Sequence, residues 1–388
     1  MNGLRVLAVS HACAASINRA KFLALARRPG LEVTLLVPRR WREGGREFVT
    51  ESGAQEGLRV RAGEVAFPGR VGGHFYRDGL WRALREARPE VIHLEEEPWS
   101  LAAGQVLAAA MFWRPRPALL VFSWENLDQL FSWPLRAVEQ AVLGRAEVLI
   151  AGGQTARERL LRRGARPGRV EVLHQFGLDP ELFRPASAEE APSVFTVGFA
   201  GRFVRDKGVD LMMEALGGLE GEWRALLVGD GPMRAWAQGW AASMGGRAEL
   251  PGWVGHEEVP ALLRRMSVLV LPSRTTPGWA EQFGHVLIEG MSCGAVPVGS
   301  SSGEIPHVIG QEGLVFPEGD AAALRAALRR LRDEPSLRER LAGAARARVL
   351  REFTWEVLAG RTFALYERAL HERALCAQGR REHGGRGR

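Results

Sequence analysis

Short apolar runs alternate with longer amphipathic stretches along most of the chain. In the first half the runs are Arg5–Val9, Glu32–Val37, Val91–Leu94, Ala118–Phe122, Val148–Ala151 and Val170–Leu173. Between them Asn18–Arg28, Tyr76–Ala87, Leu101–Ala110 and Thr155–Arg163 carry helical spacing. Apolar runs this short, separated by helices, predict a parallel sheet covered on both faces. The alternation pauses at Phe183–Ser193, where Pro185 and Pro192 predict a linker. It then restarts with strands at Thr196–Ala200, Ala225–Val228, Val268–Leu271, Val296–Gly299 and Leu314–Phe316. Helices are predicted at Val209–Leu216, Met233–Ala242, Glu257–Arg265, Val286–Met291 and Ala321–Arg332, with further helix from Pro335 to about Gln378. The fold class is α/β, with two doubly wound domains at 1–185 and 186–354. The tail 379–388 is basic and Gly-rich and reads as flexible. Doubly wound sheets take ligands at the carboxyl ends of their strands.

Composition narrows the class. With 46% apolar and 25% charged residues, the 388-residue chain is neither disordered nor fibrous. Cysteines only at 13, 293 and 376 exclude a disulfide scaffold and a multi-cysteine zinc site. No apolar run approaches the ~18 residues of a membrane span. The N-terminus reads as a strand, so the expectation is a cytoplasmic, reducing location. The net charge of +7 lies wholly in residues 1–185, which hold 27 basic and 20 acidic side chains. A basic half fits an anionic acceptor or a peripheral contact with the inner face of a membrane. No nucleic-acid motif accompanies it. Arg157–Arg169, with six arginines, reads first as a solvated helix and second as a membrane contact. Only Lys21 and Lys207 are lysines among 52 basic residues, and Asn occurs only at 2, 18 and 126. A GC-rich genome accounts for that bias. Within it, a retained lysine is weighted towards places where a compact charge matters.

Three segments carry candidate chemistry. In Trp279–Gly290, Glu281 precedes a helix start, Phe283 and Gly284 fall at its first turn, and Glu289 lies two turns in. Free N–H groups and the positive dipole end make such a start an anion site. In Gly201–Gly208, Arg202 and Lys207 sit five apart on a loop that follows a strand. Two cations converging there would offset a diphosphate without a metal. Val228-Gly229-Asp230-Gly231-Pro232 is a glycine turn, weak on its own.

The ordered set G-R-x4-K-G, V-G-x-G-P, Gly-Trp-Val at 252–254, S-V-L-V-L-P-S at 267–273, E-x7-E and C-G-x-x-P-V at 293–298 resembles the retaining glycosyltransferases of the GT-B fold. Among these it is similar to the large group with sucrose synthases and bacterial lipopolysaccharide and polysaccharide glycosyltransferases. The resemblance implies two Rossmann-like domains facing a central cleft: residues 1–185 on the acceptor side and 186–354 binding the nucleotide sugar. A last helix, about 355–378, would pack back on the first domain. It implies a nucleotide-diphosphate sugar as donor, a sugar, glycolipid or other hydroxyl acceptor, and retained anomeric configuration. Arg202 and Lys207 would hold the diphosphate, Glu281 the sugar hydroxyls and Glu289 the ribose. Gly201, Gly231 and backbone at Phe283, Gly284, His285 and Val286 would meet sugar or phosphate, and Val254 would edge the base. No D-x-D occurs, so neither a metal nor a cofactor beyond the donor is expected.

The first half departs from the pattern. Where many relatives carry a Gly-Gly turn, this chain reads Ser10–Ser16. Where many carry a histidine after a central strand, it reads Ser123-Trp124-Glu125-Asn126. Acceptor-side candidates are therefore His11, His93, Ser123 and Asn126. Glu125 is placed with the catalytic group as a proton acceptor, weighed against a role as helix cap. Glu95–Glu97 reads as a solvated loop in preference to a metal site. A non-catalytic nucleotide-sugar binder with a degenerate acceptor half is the alternative function.

Overall fold

A computed structural model describes residues 3–384, with side chains to 374. The chain divides into two units, 1–176 with 355–388, and 177–354. The first thus ends nine residues before the predicted seam at 185, so the segment Gly177–Pro185 belongs to the second unit.

The first unit holds an eight-stranded sheet. Its order is Val170–Val172, Val148–Ala151, Ala118–Ser123, Val91–Glu95, Leu4–Ser10, Leu31–Pro38, Leu58–Gly63, Gly53–Gln55. All neighbours are parallel except the last pair. Leu7, Leu94, Leu119, Val121 and Leu149 are buried on one face, and Val6, Ala8, Val33, Leu120 and Ile150 on the other. This burial on both faces explains why the central strands read as unbroken apolar runs. The helix Trp355–Gly384 joins this unit, with Leu358, Ala359, Tyr366 and Ala369 buried beside Phe22. It continues past Gly379, where the sequence predicts a flexible tail; residues 385–388 lie outside the described residues.

The second unit is a six-stranded parallel sheet, ordered Ala248–Gly252, Arg224–Val228, Thr196–Ala200, Val268–Leu271, Val296–Ser300, Leu314–Phe316. Ala248–Gly252 escapes the sequence pattern because it is an edge strand: it alternates in exposure and contains Pro251, which suits an edge. The order reverses between Thr196–Ala200 and Val268–Leu271, the point where such sheets open a ligand crevice. Among the described residues, no helix is long and apolar enough to cross a membrane.

Candidate active site

The two strands flanking that reversal deliver the second unit's motifs to one place. After Thr196–Ala200 the chain turns through Gly201 and Arg202 into a single 3-10 turn, Arg205–Lys207. Gly208 follows at φ 70°, and a Cβ there would lie 1.9 Å from the Pro272 carbonyl oxygen. Only glycine lets the loop lie this close to the end of the neighbouring strand, and that approach aims Lys207 across it. Lys207 Nζ lies 2.7 Å from Glu281 Oε2, and Ser273 Oγ donates to the same oxygen at 2.9 Å. The ammonium also sits 4.7 Å from the Trp279 ring centroid, a cation–π distance. The Glu281 carbonyl accepts from Glu304 N–H at 2.9 Å, which clamps the loop.

The helix His285–Cys293 begins at Gly284, its N-cap at φ 76°. Beside it opens a cleft of about 370 Å³, lined by Gly201, Arg202, Asp230, Trp253, Val254, His285, Val286 and Glu289 among others. Glu289 is buried, and burial raises its carboxyl above the usual range against the opposing pull of His285 and His256. His285 Nδ1 is 3.4 Å from Glu289 Oε1, and its Nε2–H donates to the Gly177 carbonyl at 3.1 Å. Among the described residues no carboxylate pairs with Arg202, which leaves a cation facing the cleft.

The structure therefore brings Gly201, Arg202, Val254, His285, Val286 and Glu289 to one cavity, with Lys207 and Glu281 joined as an ion pair. Lys207 and Glu281 are not part of the cavity lining, and three further predicted residues are set back from it. Gly231 packs against the Phe203 backbone with no room for a Cβ, and Gly284 caps the helix. The Phe283 side chain is buried 5.8 Å from the Phe353 ring and anchors the loop. Trp253 enters the sequence reading only as the middle of Gly-Trp-Val, without a role of its own, yet it lines the cavity while 61% exposed. A tryptophan directly after a glycine, next to the Val254 expected at the base, was the available signal.

In the first unit the sheet reverses between Leu4–Ser10 and Val91–Glu95, and here several expectations change. Glu95 and Glu96 are buried and Glu97 is half-buried, so the solvated-loop reading is wrong. Each carboxylate is held by its own set of partners. Glu95 pairs with buried Lys21 and accepts from Gln175 Nε2 at 2.8 Å. Burial would raise its pKa, but Lys21 outweighs that and lowers it. Glu96 Oε1 accepts from His11 N–H at 2.8 Å, and Oε2 lies 2.5 Å from His11 Nδ1. Against burial, His11 and His74 hold this carboxyl at about 2. Glu97 accepts from Ser123 Oγ and Trp124 N–H, each at 2.7 Å. Burial nevertheless pushes its carboxyl up to about 7.

His93, expected among the acceptor-side candidates, packs inside the first unit. It is buried, with Nδ1 2.8 Å from the Tyr366 hydroxyl, its ring against Phe22, and burial holds it neutral at about 3. Ser123 is likewise buried and committed to Glu97, whereas Asn126 is half-buried. Glu125 is buried, and its Oε1 accepts from Leu127 N–H at 3.1 Å. It caps no helix, since the next begins at Trp133 behind Ser132. These contacts favour a loop-holding role for Glu125 over the expected one as proton acceptor. Glu125→Gln keeps the accepting oxygen, so kcat/KM and Tm should both stay near wild type. Glu125→Ala strands a backbone donor and should cost ~1–3 kcal/mol of stability. A ~10²-fold fall in transfer for the Gln variant at unchanged Tm would restore the catalytic role. The arginines of 157–169 are largely spent internally: Arg159 on buried Glu139, Arg162 on Asp128 and Arg169 on backbone carbonyls.

A family described as glycosyl transferases group 1 matches residues 184–348, and a glycosyl transferase 4-like domain matches residues 20–175. The chain belongs to the group 1 glycosyltransferases of the GT-B fold. It is 29% identical over 284 residues to D-inositol 3-phosphate glycosyltransferase 1 of Catenulispora acidiphila, covering 65% of this chain and 62% of that one. It is 28% identical to 2-deoxystreptamine glucosyltransferase of Streptomyces kanamyceticus, covering 72% and 77%. In fold it resembles sucrose-phosphate synthase from Thermosynechococcus elongatus, with a TM-score of 0.70, 22% identity and 94% and 98% coverage. It also resembles Anabaena HepE solved with UDP, with a TM-score of 0.71, 16% identity and 94% and 100% coverage.

Proposed function

We propose that the chain transfers a sugar from a nucleotide-diphosphate donor to an acceptor hydroxyl, with retained anomeric configuration and no divalent cation at the diphosphate. The observation that carries this reading is the Lys207–Glu281 pair, 2.7 Å apart beside a cleft holding Arg202 and Glu289. In this reading the nucleotide enters along Val254 and Trp253, and its ribose hydroxyls donate to Glu289. The diphosphate meets Arg202 and the N-terminal turn of His285–Cys293, where free N–H groups favour an anion. As the bond to the anomeric carbon breaks, negative charge grows on the departing phosphate. Lys207 then shifts its attraction from Glu281 to that oxygen, and Glu281 turns to the sugar hydroxyls. An interaction that strengthens as charge develops lowers the barrier rather than merely tightening binding. The departing oxygen can take the acceptor's proton on the face it leaves, so the acceptor attacks from that side and configuration is kept.

Transfer should continue in EDTA and gain nothing from added Mg²⁺ or Mn²⁺, because two cationic side chains and a helix end serve the leaving group. Steady-state rates with and without each ion check this. Complete loss in EDTA, restored by either ion, would contradict it. The function itself is tested by incubating the chain with a panel of nucleotide-diphosphate sugars and assaying nucleoside diphosphate release. Release should occur with at least one donor, and release from none would remove the proposal.

A further inference from the structure

We infer that the first unit carries a transition-metal site, of the kind zinc occupies, built from His11, His74 and Glu96. One oxygen of Glu96 faces both imidazoles: Oε2 lies 2.5 Å from His11 Nδ1 and 3.4 Å from His74 Nε2. The three ligand atoms lie within 4.8 Å of one another. His74 supplies the decisive detail. Its Nδ1–H is directed at the backbone carbonyls of Arg70, at 3.2 Å, and Val71, at 3.0 Å. In the neutral ring this leaves the lone pair on Nε2. That nitrogen is fully buried, has no hydrogen-bond partner, and lies 3.4 Å from a carboxylate oxygen that also offers only lone pairs. Two buried acceptors facing each other repel unless a positive charge, a proton or a metal ion, lies between them.

The surroundings are those of a ligand set. A metal-binding histidine characteristically donates its other ring N–H to a backbone carbonyl, which fixes tautomer and ring orientation, as His74 does here. Glu96 is oriented in the same way, since its second oxygen accepts the His11 backbone N–H. Trp41 walls the site, with ring centroids 4.8 Å from His11 and 4.9 Å from His74. The Tyr76 hydroxyl, also buried without a partner, belongs to a ring 6.5 Å from His74. Tetrahedral zinc with bonds of about 2.0–2.1 Å needs ligand atoms roughly 3.3 Å apart. The His74–Glu96 separation already suits this, and His11 swings slightly to open its own. Nitrogen and carboxylate donors select zinc-like ions over magnesium, which keeps this site apart from diphosphate chemistry. Three protein ligands leave a fourth position open. An ion here would tie together the ends of two adjacent strands, at His11 and Glu96, and the segment ahead of the Phe75–Tyr76 strand.

The test uses the untagged full chain, dialysed against EDTA and then titrated with Co²⁺ alone. The expected result is a visible d–d absorption saturating at one ion per chain, bleached by one equivalent of Zn²⁺, with a higher Tm in the zinc-loaded protein. His74→Leu, which keeps an apolar side chain under Trp41, should bind ~10²-fold or more weakly. Glu96→Gln should do the same. Wild-type chain that develops no band and retains no metal through gel filtration overturns the inference, whatever the variants do. Equal affinity in folded His74→Leu overturns it as well, because the ion would then sit elsewhere.

Discussion

Lys207→Ala should lower kcat by ~10²–10³-fold, and Arg202→Ala by at least ~10²-fold, because each removes a cation from the group on which charge develops. The loss should fall mainly on kcat and less on KM. At rest Lys207 is paired with Glu281 and spends much of its attraction there, so its contribution grows as the phosphate departs. Lys207→Arg tests the compactness of the charge. The 3-10 turn and Gly208 hold the ammonium beside Trp279 and Ser273, where a planar guanidinium has a different reach. Most of the loss should therefore persist in the arginine variant. Steady-state kinetics decide the matter. An unchanged kcat/KM in both alanine variants would remove the donor-site assignment.

Lys21→Met should destabilise the chain by ~3–5 kcal/mol, because it leaves Glu95 buried with its charge uncompensated. For a unit of this size that corresponds to a Tm roughly 6–20 °C lower. Lys21 and Glu95 are both almost wholly buried, and the ammonium also faces the rings of Phe22 and Phe122. The Gln175 amide supports the far oxygen of Glu95 but carries no charge. Lys21→Met combined with Glu95→Gln removes both charges and should recover most of the loss. Calorimetry of the four proteins gives the coupling directly. Additive losses in the double variant would show that the pair is not the source of the stability.

The second unit's candidate site was far more legible in sequence than the first unit's polar centre, and the reason is locality. Arg202 and Lys207 follow one strand, and Glu281 and Glu289 bracket one helix start, so each pair is read within a dozen residues. Buried parallel strands such as Val268–Leu271 announce themselves as apolar runs. The helix Trp133–Arg145 did not, because its buried face carries Glu139, whose partner Arg159 comes from a later helix. Leu58–Gly63 was missed for a related reason: near the sheet edge its arginines alternate with apolar residues, and Arg59 pairs with Glu32 on the next strand. The first unit's polar centre was hidden most completely. His11 and Glu96 are 85 residues apart in sequence and meet only because Ser10 and Glu95 are register partners. A run of three glutamates looks solvated until each partner is known. One compositional signal did reach this centre: both lysines of an arginine-rich chain pair with buried glutamates, Lys21 with Glu95 and Lys207 with Glu281.

The central claim is sugar transfer at the Lys207–Glu281 site with retained configuration. Proton NMR of the glycoside formed from a nucleotide-diphosphate α-sugar tests it most directly, read through the coupling of the anomeric proton. The expected result is an α-glycoside from wild-type chain and ~10²-fold or more less of it from Lys207→Ala in the same time. A β-glycoside, or equal product from the variant, would contradict it.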